Sequence, residues 1–192
     1  MERNIMGTRT EKNLLAAFAG ESQARNRYTL FSARAREEGL EQIAAIFLET
    51  AENEKEHAAR YFRFLSGGDV EITASYPTGP VGTTAENLAA AARGENLEWT
   101  KLYKEGGDIA MEEGFPEIAH QFWNISKVET EHERRYLRLF ANVKGGRVFR
   151  REAPVRWKCR NCGYVHEGTE PMERCPACAK PRSYFELLCE NY

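Results

Sequence analysis

The feature that most constrains this chain is a set of acidic side chains placed where its helices should be apolar. Within residues 40–65 the positions spaced for one helix face read Ile43, Phe47, Thr50, Glu54, His57, Tyr61 and Phe64. Within residues 116–142 the matching face reads Ile118, Phe122, Ile125, Glu129, His132, Tyr136 and Leu139. A third run gives Leu14, Phe18, Glu21, Arg25 and Tyr28, with Ala24 beside Arg25. A fourth gives Leu88, Ala92, Glu95, Glu98, Leu102 and Ile109. Each stripe has the period of a helix packed on a core, and each is interrupted mid-length by a carboxylate. A buried ionised carboxylate costs several kcal/mol even after relaxation, and five in one cluster would also repel one another. Keeping Glu21, Glu54, Glu95, Glu98 and Glu129 neutral would instead need several pKa values far above the usual value of about 4.3. Two divalent cations neutralise most of that charge, and metal is the simplest reading.

The stripes lie on four helical segments. Thr8-x-x-Glu11 has the pattern of a capping box and opens the first, which Gly39 closes. The second ends at Ser66-Gly67-Gly68. Thr83-x-x-Glu86 opens the third, expected to reach Gly114, with Gly106-Gly107 weakening its last turns. Phe115-Pro116 opens the fourth, which runs to Asn142. Short turns join the first pair and the second pair. Residues 66–83, rich in Gly, Pro and Thr, are long enough to cross the length of a bundle. Two hairpins joined by one long crossover is the ferritin-like form of a four-helix bundle. The hairpins also echo each other. Glu54, Glu56, His57, Arg60, Tyr61 and Arg63 recur at the same offsets as Glu129, Glu131, His132, Arg135, Tyr136 and Arg138, and Gly20-Glu21 recurs as Gly94-Glu95.

Glu54-x-x-His57 and Glu129-x-x-His132 each put a carboxylate and an imidazole on one helix face. With one inward Glu from each remaining helix, Glu21 and Glu95, they form the pattern of a di-iron or di-manganese carboxylate site. Oxygen-rich ligation suits those metals better than zinc, without excluding zinc. Aligning Glu21 with Glu95 sets Ala24 opposite Glu98, so the third helix carries a seventh candidate ligand with no counterpart. An extra ligand would let one metal exchange partners as its charge changes. Glu52, Glu56, Glu131 and Glu133 fall off the stripes and are expected to be solvated. Tyr28, Tyr61, Tyr103 and Tyr136 are expected as core aromatics whose hydroxyls need partners.

From about Pro154 the composition shifts to Cys, Pro, Gly and aromatics. All 5 cysteines lie at or beyond Cys159. Cys159-x-x-Cys162 and Cys175-x-x-Cys178 in so short a tail point to a metal-held unit rather than a disulfide scaffold. Four thiolates bind zinc or a single iron, and the spacing does not choose between them. Cys189 has no partner at that spacing and reads as a free thiol. The net charge of -2 with mixed signs gives no footprint for nucleic acid. Neither an apolar signal segment nor a membrane span is present, which leads us to expect a cytoplasmic protein. No Gly-rich dinucleotide fingerprint occurs either.

Arg156-Trp157-Lys158-Cys159-Arg160-Asn161-Cys162-Gly163-Tyr164, followed by Cys175-Pro176-Ala177-Cys178, resembles a rubredoxin fold with two cysteine knuckles. Ala179 stands where a simple rubredoxin usually has Gly. A bundle with repeated Glu-x-x-His fused to such a tail, joined through Gly146-Arg147-Val148-Phe149, resembles the rubrerythrins over essentially the whole chain. The resemblance implies a ferritin-like di-iron bundle in residues 1–146, and a linker with a rubredoxin-like iron domain in residues 147–192. It implies a peroxidase that reduces hydrogen peroxide to water in oxidative stress defence. Electrons would come ultimately from NADH or NADPH through a separate reductase or rubredoxin. Two irons would be held by Glu21, Glu54, His57, Glu95, Glu98, Glu129 and His132, and a third by Cys159, Cys162, Cys175 and Cys178. Glu54 and Glu129 would bridge the pair. One iron would move between Glu98 and His57 on redox change, while His132 and Glu95 held the other. Tyr28 and Tyr103 would hydrogen-bond ligand carboxylates, with Glu98, His57 and Tyr28 closest to the reaction. The family also implies a head-to-tail homodimer. A ferroxidase or iron-handling protein of the same bundle class is the competing expectation.

Overall fold

Helix α1 (Arg9–Glu37) starts where Thr8 accepts a hydrogen bond from the Glu11 N–H. The expected capping box is only half made, because Glu11 accepts from the Gly7 N–H at 2.7 Å instead of closing on Thr8. Gly39 ends the helix, and the Leu40 N–H returns to the Ala35 carbonyl. Helix α2 (Glu41–Phe62) runs back along α1. In this computed structural model, which describes residues 4–190, the crossover 63–83 holds no helix or strand. It is strapped to α1 by Tyr76, whose hydroxyl donates to the Ala16 carbonyl at 2.7 Å and whose ring lies over Gly20.

Helix α3 (Thr84–Leu97) opens with the complete box expected at Thr83 and Glu86. It passes without a break into a π-helical turn, Glu98–Leu102, and then into α4 (Tyr103–Glu112). Helix α5 (Pro116–Lys144) returns along both. The π turn corrects the expected stripe. It absorbs one more residue than an α turn, so Leu102 swings outward to 45% exposure and Tyr103 takes its place at 2%. Arg25 likewise lies toward solvent beside Glu52, and Ala24 faces the core. The expected weakening at Gly106-Gly107 does not occur, since α4 continues to Glu112. The glycines let α5 approach: a Cβ at Gly107 would sit 2.3 Å from Trp123 Nε1, and one at Gly106 would sit 3.1 Å from the Phe122 ring.

The apolar interior falls into two clusters. One contains Tyr28, Phe31, Ile43, Phe47, Leu88 and Tyr136. The other contains Leu14, Tyr61, Tyr103, Ile118, Phe122 and Ile125. Between them, at mid-helix, lie the buried carboxylates. No helix among the described residues is long and apolar enough to cross a membrane.

Beyond Gly146 the chain forms a three-stranded antiparallel sheet of β1 (Val155–Cys159), β2 (Val165–Gly168) and β3 (Phe185–Leu187), with β1 in the middle. Its core is small: Trp157, Cys159, Cys175 and Phe185. The Trp157 indole donates to the Gly168 carbonyl at 2.9 Å. A short 3-10 turn, Arg182–Tyr184, and β3 rest on α2, with Ser183 against Gly39 at the α1–α2 turn.

Candidate metal centres

Four helices bring the sequence-identified ligands to one layer of the bundle. Glu21, Glu54, Glu95 and Glu129 are each 0–1% exposed, and His132 is 5% exposed. Their ligand atoms form two groups of four. Glu21, Glu54, His57 and Glu129 make one, and Glu54, Glu95, Glu129 and His132 make the other. Glu54 and Glu129 belong to both. Nδ1 of His57 lies 2.9 Å from Glu54, 3.0 Å from Glu129 and 3.6 Å from Glu21. Nδ1 of His132 lies 2.8 Å from Glu129, 3.2 Å from Glu54 and 3.8 Å from Glu95. The helical repeat accounts for this near-twofold arrangement, because each Glu-x-x-His pair sits one turn before an inward tyrosine on its own helix.

Several of these atoms converge without hydrogen-bonding geometry. Glu21 Oε2, Glu54 Oε1, Glu95 Oε2, both oxygens of Glu129 and Nδ1 of His132 are buried and make no hydrogen bond. Buried polar atoms are normally paired, so a cluster of orphaned acceptors directed at common points fits a pair of cations. Protons hold the cluster together when metal does not. Burial, followed by the Glu54 and Glu129 charges, pushes Glu21 well above the usual carboxylate range. Burial and then Glu54 raise Glu95. Burial and then Glu95, Glu129 and Glu54 raise Glu98 well above it. Burial alone would depress both imidazoles, but the close carboxylates of Glu129 and Glu54 outweigh it, taking His57 up to about 9 and His132 up to about 12.

The tyrosines finish the inner layer. Tyr28 donates to Glu95 at 2.5 Å and Tyr103 donates to Glu21 at 2.6 Å. Burial, then the partner carboxylate, holds each phenol well above its ordinary range, so both remain donors. Tyr61 and Tyr136 are equally buried, but neither hydroxyl is hydrogen-bonded to a carboxylate of the layer. Glu98 is half-buried on the π turn and stands outside both four-residue groups. Its counterpart in the first half, Ala24, is buried apolar core.

One off-stripe acid departs from expectation. Glu133 is not freely solvated: it accepts from the Trp99 indole at 2.5 Å and from the Asn96 amide at 3.1 and 3.2 Å. Sequence reading missed this contact. The available signal was a break in the repeat, since Glu133 aligns with Ala58 and Trp99 with Arg25.

In the small domain the four knuckle cysteines close on one another. Sγ of Cys159 and Cys178 are 3.7 Å apart, and those of Cys162 and Cys175 are 3.6 Å apart. A tetrahedron with metal–sulfur bonds of about 2.3 Å has edges of roughly 3.8 Å, so the cage suits a single four-thiolate metal. The knuckles are near copies. The Gly163 N–H donates to the Cys159 carbonyl and the Ala179 N–H to the Cys175 carbonyl, both at 2.9 Å. Gly163 has φ +81° and Ala179 φ +58°, so the alanine sits in the left-handed region that favours glycine. The Lys180 N–H, more than any other neighbour, lowers Cys178 to about 6. Cys189 is exposed and unpaired.

Comparison with known proteins agrees with both centres. The rubrerythrin family profile matches residues 12–140, and the profile described as the rubredoxin-like domain of rubrerythrin matches residues 157–186. A rubrerythrin of Porphyromonas gingivalis is 59% identical over 100% of this chain and 96% of its own length. One from Nitratidesulfovibrio vulgaris is 54% identical over 99% of this chain and 100% of its own. Among solved structures, fully reduced, all-ferrous nigerythrin superposes with TM-score 0.64 at 30% identity, over 96% of this chain and 91% of that one. A bacterioferritin of Mycobacterium tuberculosis, at 21% identity and TM-score 0.62 over 75% of this chain and 90% of its own, shares the bundle fold. With a di-iron carboxylate layer in a ferritin-like bundle and a four-cysteine iron domain behind it, the chain belongs to the rubrerythrin family, di-iron oxidoreductases of oxidative stress defence.

Proposed function

We propose that the protein is a peroxidase that reduces hydrogen peroxide to water at the bundle site and is recharged through its four-cysteine iron. The observation that carries this reading is the pair of four-ligand groups sharing Glu54 and Glu129. Glu54 and Glu129 would be shared by the two metals, with Glu21 and His57 completing one set of ligands and Glu95 and His132 the other. Two ferrous ions, when bound there, would supply two electrons and the Lewis acidity needed to reduce a peroxide. The protein's own part is to bind, orient and exclude water. The two apolar clusters keep solvent from the layer, and Tyr28 and Tyr103 fix the rotamers of Glu95 and Glu21 by donating to them. His57 completes the Glu21 group while Glu98 lies outside it, which supports an exchange of these two side chains at one site.

Residues 1–146 would thus house the reaction and residues 147–192 would deliver electrons. Cys162 at the exposed edge of the cage is a fitting point of entry for a separate NAD(P)H-dependent reductase or a rubredoxin. The small domain rests at the α1–α2 turn, and Glu54 is about 20 Å further along α2 at 1.5 Å per residue. That separation supports a head-to-tail homodimer in which a second copy's domain serves each bundle. The unpaired cysteines suit a reducing cytoplasm. The test is turnover of the reduced, iron-loaded protein with peroxide and with dioxygen. A marked preference for peroxide is expected. Preference for dioxygen, or assembly into a large iron-filled shell, would point to a ferroxidase instead.

A further inference from the structure

The two halves of the bundle repeat each other, and several of their departures from symmetry meet in one place. Glu98 replaces the equivalent of Ala24, Trp99 that of Arg25, Asn96 that of Ser22 and Glu133 that of Ala58. The π turn itself, Glu98–Leu102, has no counterpart in α1, which is regular from Arg9 to Glu37. The substituted residues are in contact. Glu133 on α5 accepts from the Trp99 indole at 2.5 Å and, through both oxygens, from Asn96 at 3.1 and 3.2 Å. Ser126, also on α5, donates to the Trp99 carbonyl at 3.3 Å. Thr100 donates back to the Asn96 carbonyl at 2.5 Å.

A π turn is less favourable than the α-helix around it and persists where neighbours hold it. Here the bonds to Trp99, both its indole and its carbonyl, come from α5, and Glu133 directly follows His132 on that helix. The turn begins at Glu98 itself, so its conformation decides where that carboxylate points. We infer that Glu133, acting through the Trp99 indole and the Asn96 amide, is a positioning residue that clamps the π turn to α5 and so presents Glu98 to the di-iron layer. This rests on the assignment of Glu98 to the peroxide reaction. It adds the reason a single carboxylate can be held ready beside the site without belonging to either ligand group. The hydrogen bonds of Glu133 go to Trp99 and Asn96 rather than to a metal-site carboxylate or histidine, so its effect runs through the backbone of residues 98–102. In the first half, Ala58 can make no such bond and Arg25 points to Glu52 at the surface, which accounts for the regular α1.

The experiment uses the full-length, metal-loaded chain and the variants Glu133→Ala, Glu133→Gln and Trp99→Phe. Amide hydrogen exchange is followed by helix, and cobalt(II) replaces iron for spectroscopy. Losing a half-buried bond to a charged acceptor should speed exchange at residues 98–103 about tenfold in Glu133→Ala. Exchange in α1 and α2 should stay unchanged. Trp99→Phe should behave like Glu133→Ala, and Glu133→Gln, whose amide oxygen still accepts from the indole, should recover most of the protection. The ligand-field bands of the bundle cobalt should shift as they do in Glu98→Ala, while the four-thiolate bands stay fixed. Adding Glu133→Ala to Glu98→Ala should cost no further turnover. Unchanged exchange at the turn, equal acceleration in every helix, or a Gln variant no better than Ala would each overturn the inference. Exchange and cobalt spectra do not depend on peroxide turnover, so a wild-type protein inactive toward peroxide would defeat the proposed function and leave this result standing.

Discussion

The bundle site and the cysteine cage both gather anionic ligand atoms, but with very different amounts of protein around them. In the bundle the ligands come from positions as far apart as Glu21 and His132, each fixed on a long helix between two apolar clusters. In the small domain four cysteines on two near-identical turns surround a core of little more than Trp157 and Phe185. The bundle has enough buried apolar surface to fold around an unfavourable layer of charge. The small domain does not, and its metal is a large part of its fold. Metal therefore relieves strain in one region and creates structure in the other.

The contrast breaks most visibly at Cys162→Ser. A structural metal in so small a unit contributes on the order of 10 kcal/mol, so this variant should unfold the tail while the helical signal of the bundle persists. Peroxide should be consumed once per reduced site, and steady-state cycling should vanish. Undiminished cycling would mean that the tail is not the donor. A smaller effect is expected at Glu98→Ala, which should keep two metals in the bundle by elemental analysis yet lose roughly ten- to a hundredfold of peroxide turnover. Unchanged turnover would remove Glu98 from the reaction.

The two regions should also differ in their response to pH. His57, His132, Glu21, Glu95 and Glu98 all have folded values raised above those of the unfolded chain. The folded metal-free bundle therefore binds more protons than the unfolded chain, and its stability falls as pH rises. For His57 the stabilisation is complete below about 6.5 and is lost as pH climbs through about 9. That loss is on the order of 3 kcal/mol at 1.36 kcal/mol per unit. Thermal unfolding of the metal-free chain across that range should show the decline, and metal-loaded protein, in which cations replace the protons, should not. The smallest effect sharpens the account of the knuckles. Ala179→Gly removes a left-handed alanine and should stabilise the small domain by about 1 kcal/mol, read as a higher midpoint for loss of the thiolate absorption.

Much of this was legible because period and ligand chemistry coincide. That Glu54, His57, Glu129 and His132 meet in one layer of the bundle was legible from the residues alone, since a carboxylate on an apolar stripe conflicts with burial and only a partner resolves the conflict. The ends of α1 and α3 followed from Thr8, Thr83 and Gly39. The register after Glu98 was not legible. A π turn inserts a single residue without a distinctive composition, so Leu102 looked inward by arithmetic where Tyr103 is inward in fact. Gly106-Gly107 read as helix weakness because glycine signals local freedom in a sequence, whereas here it makes room for Phe122 and Trp123 on another helix. Glu133 read as solvated because its partner, Trp99, is brought to it only by tertiary packing.

The most direct test is the stability of the bundle with and without metal. Chelated protein and protein reloaded with ferrous iron would be melted side by side at neutral pH, following the helix signal and counting iron bound to the bundle. The account predicts a midpoint that drops on stripping and returns as two irons per bundle are restored. An unchanged midpoint, with the buried glutamates ionised and open to solvent, would contradict it.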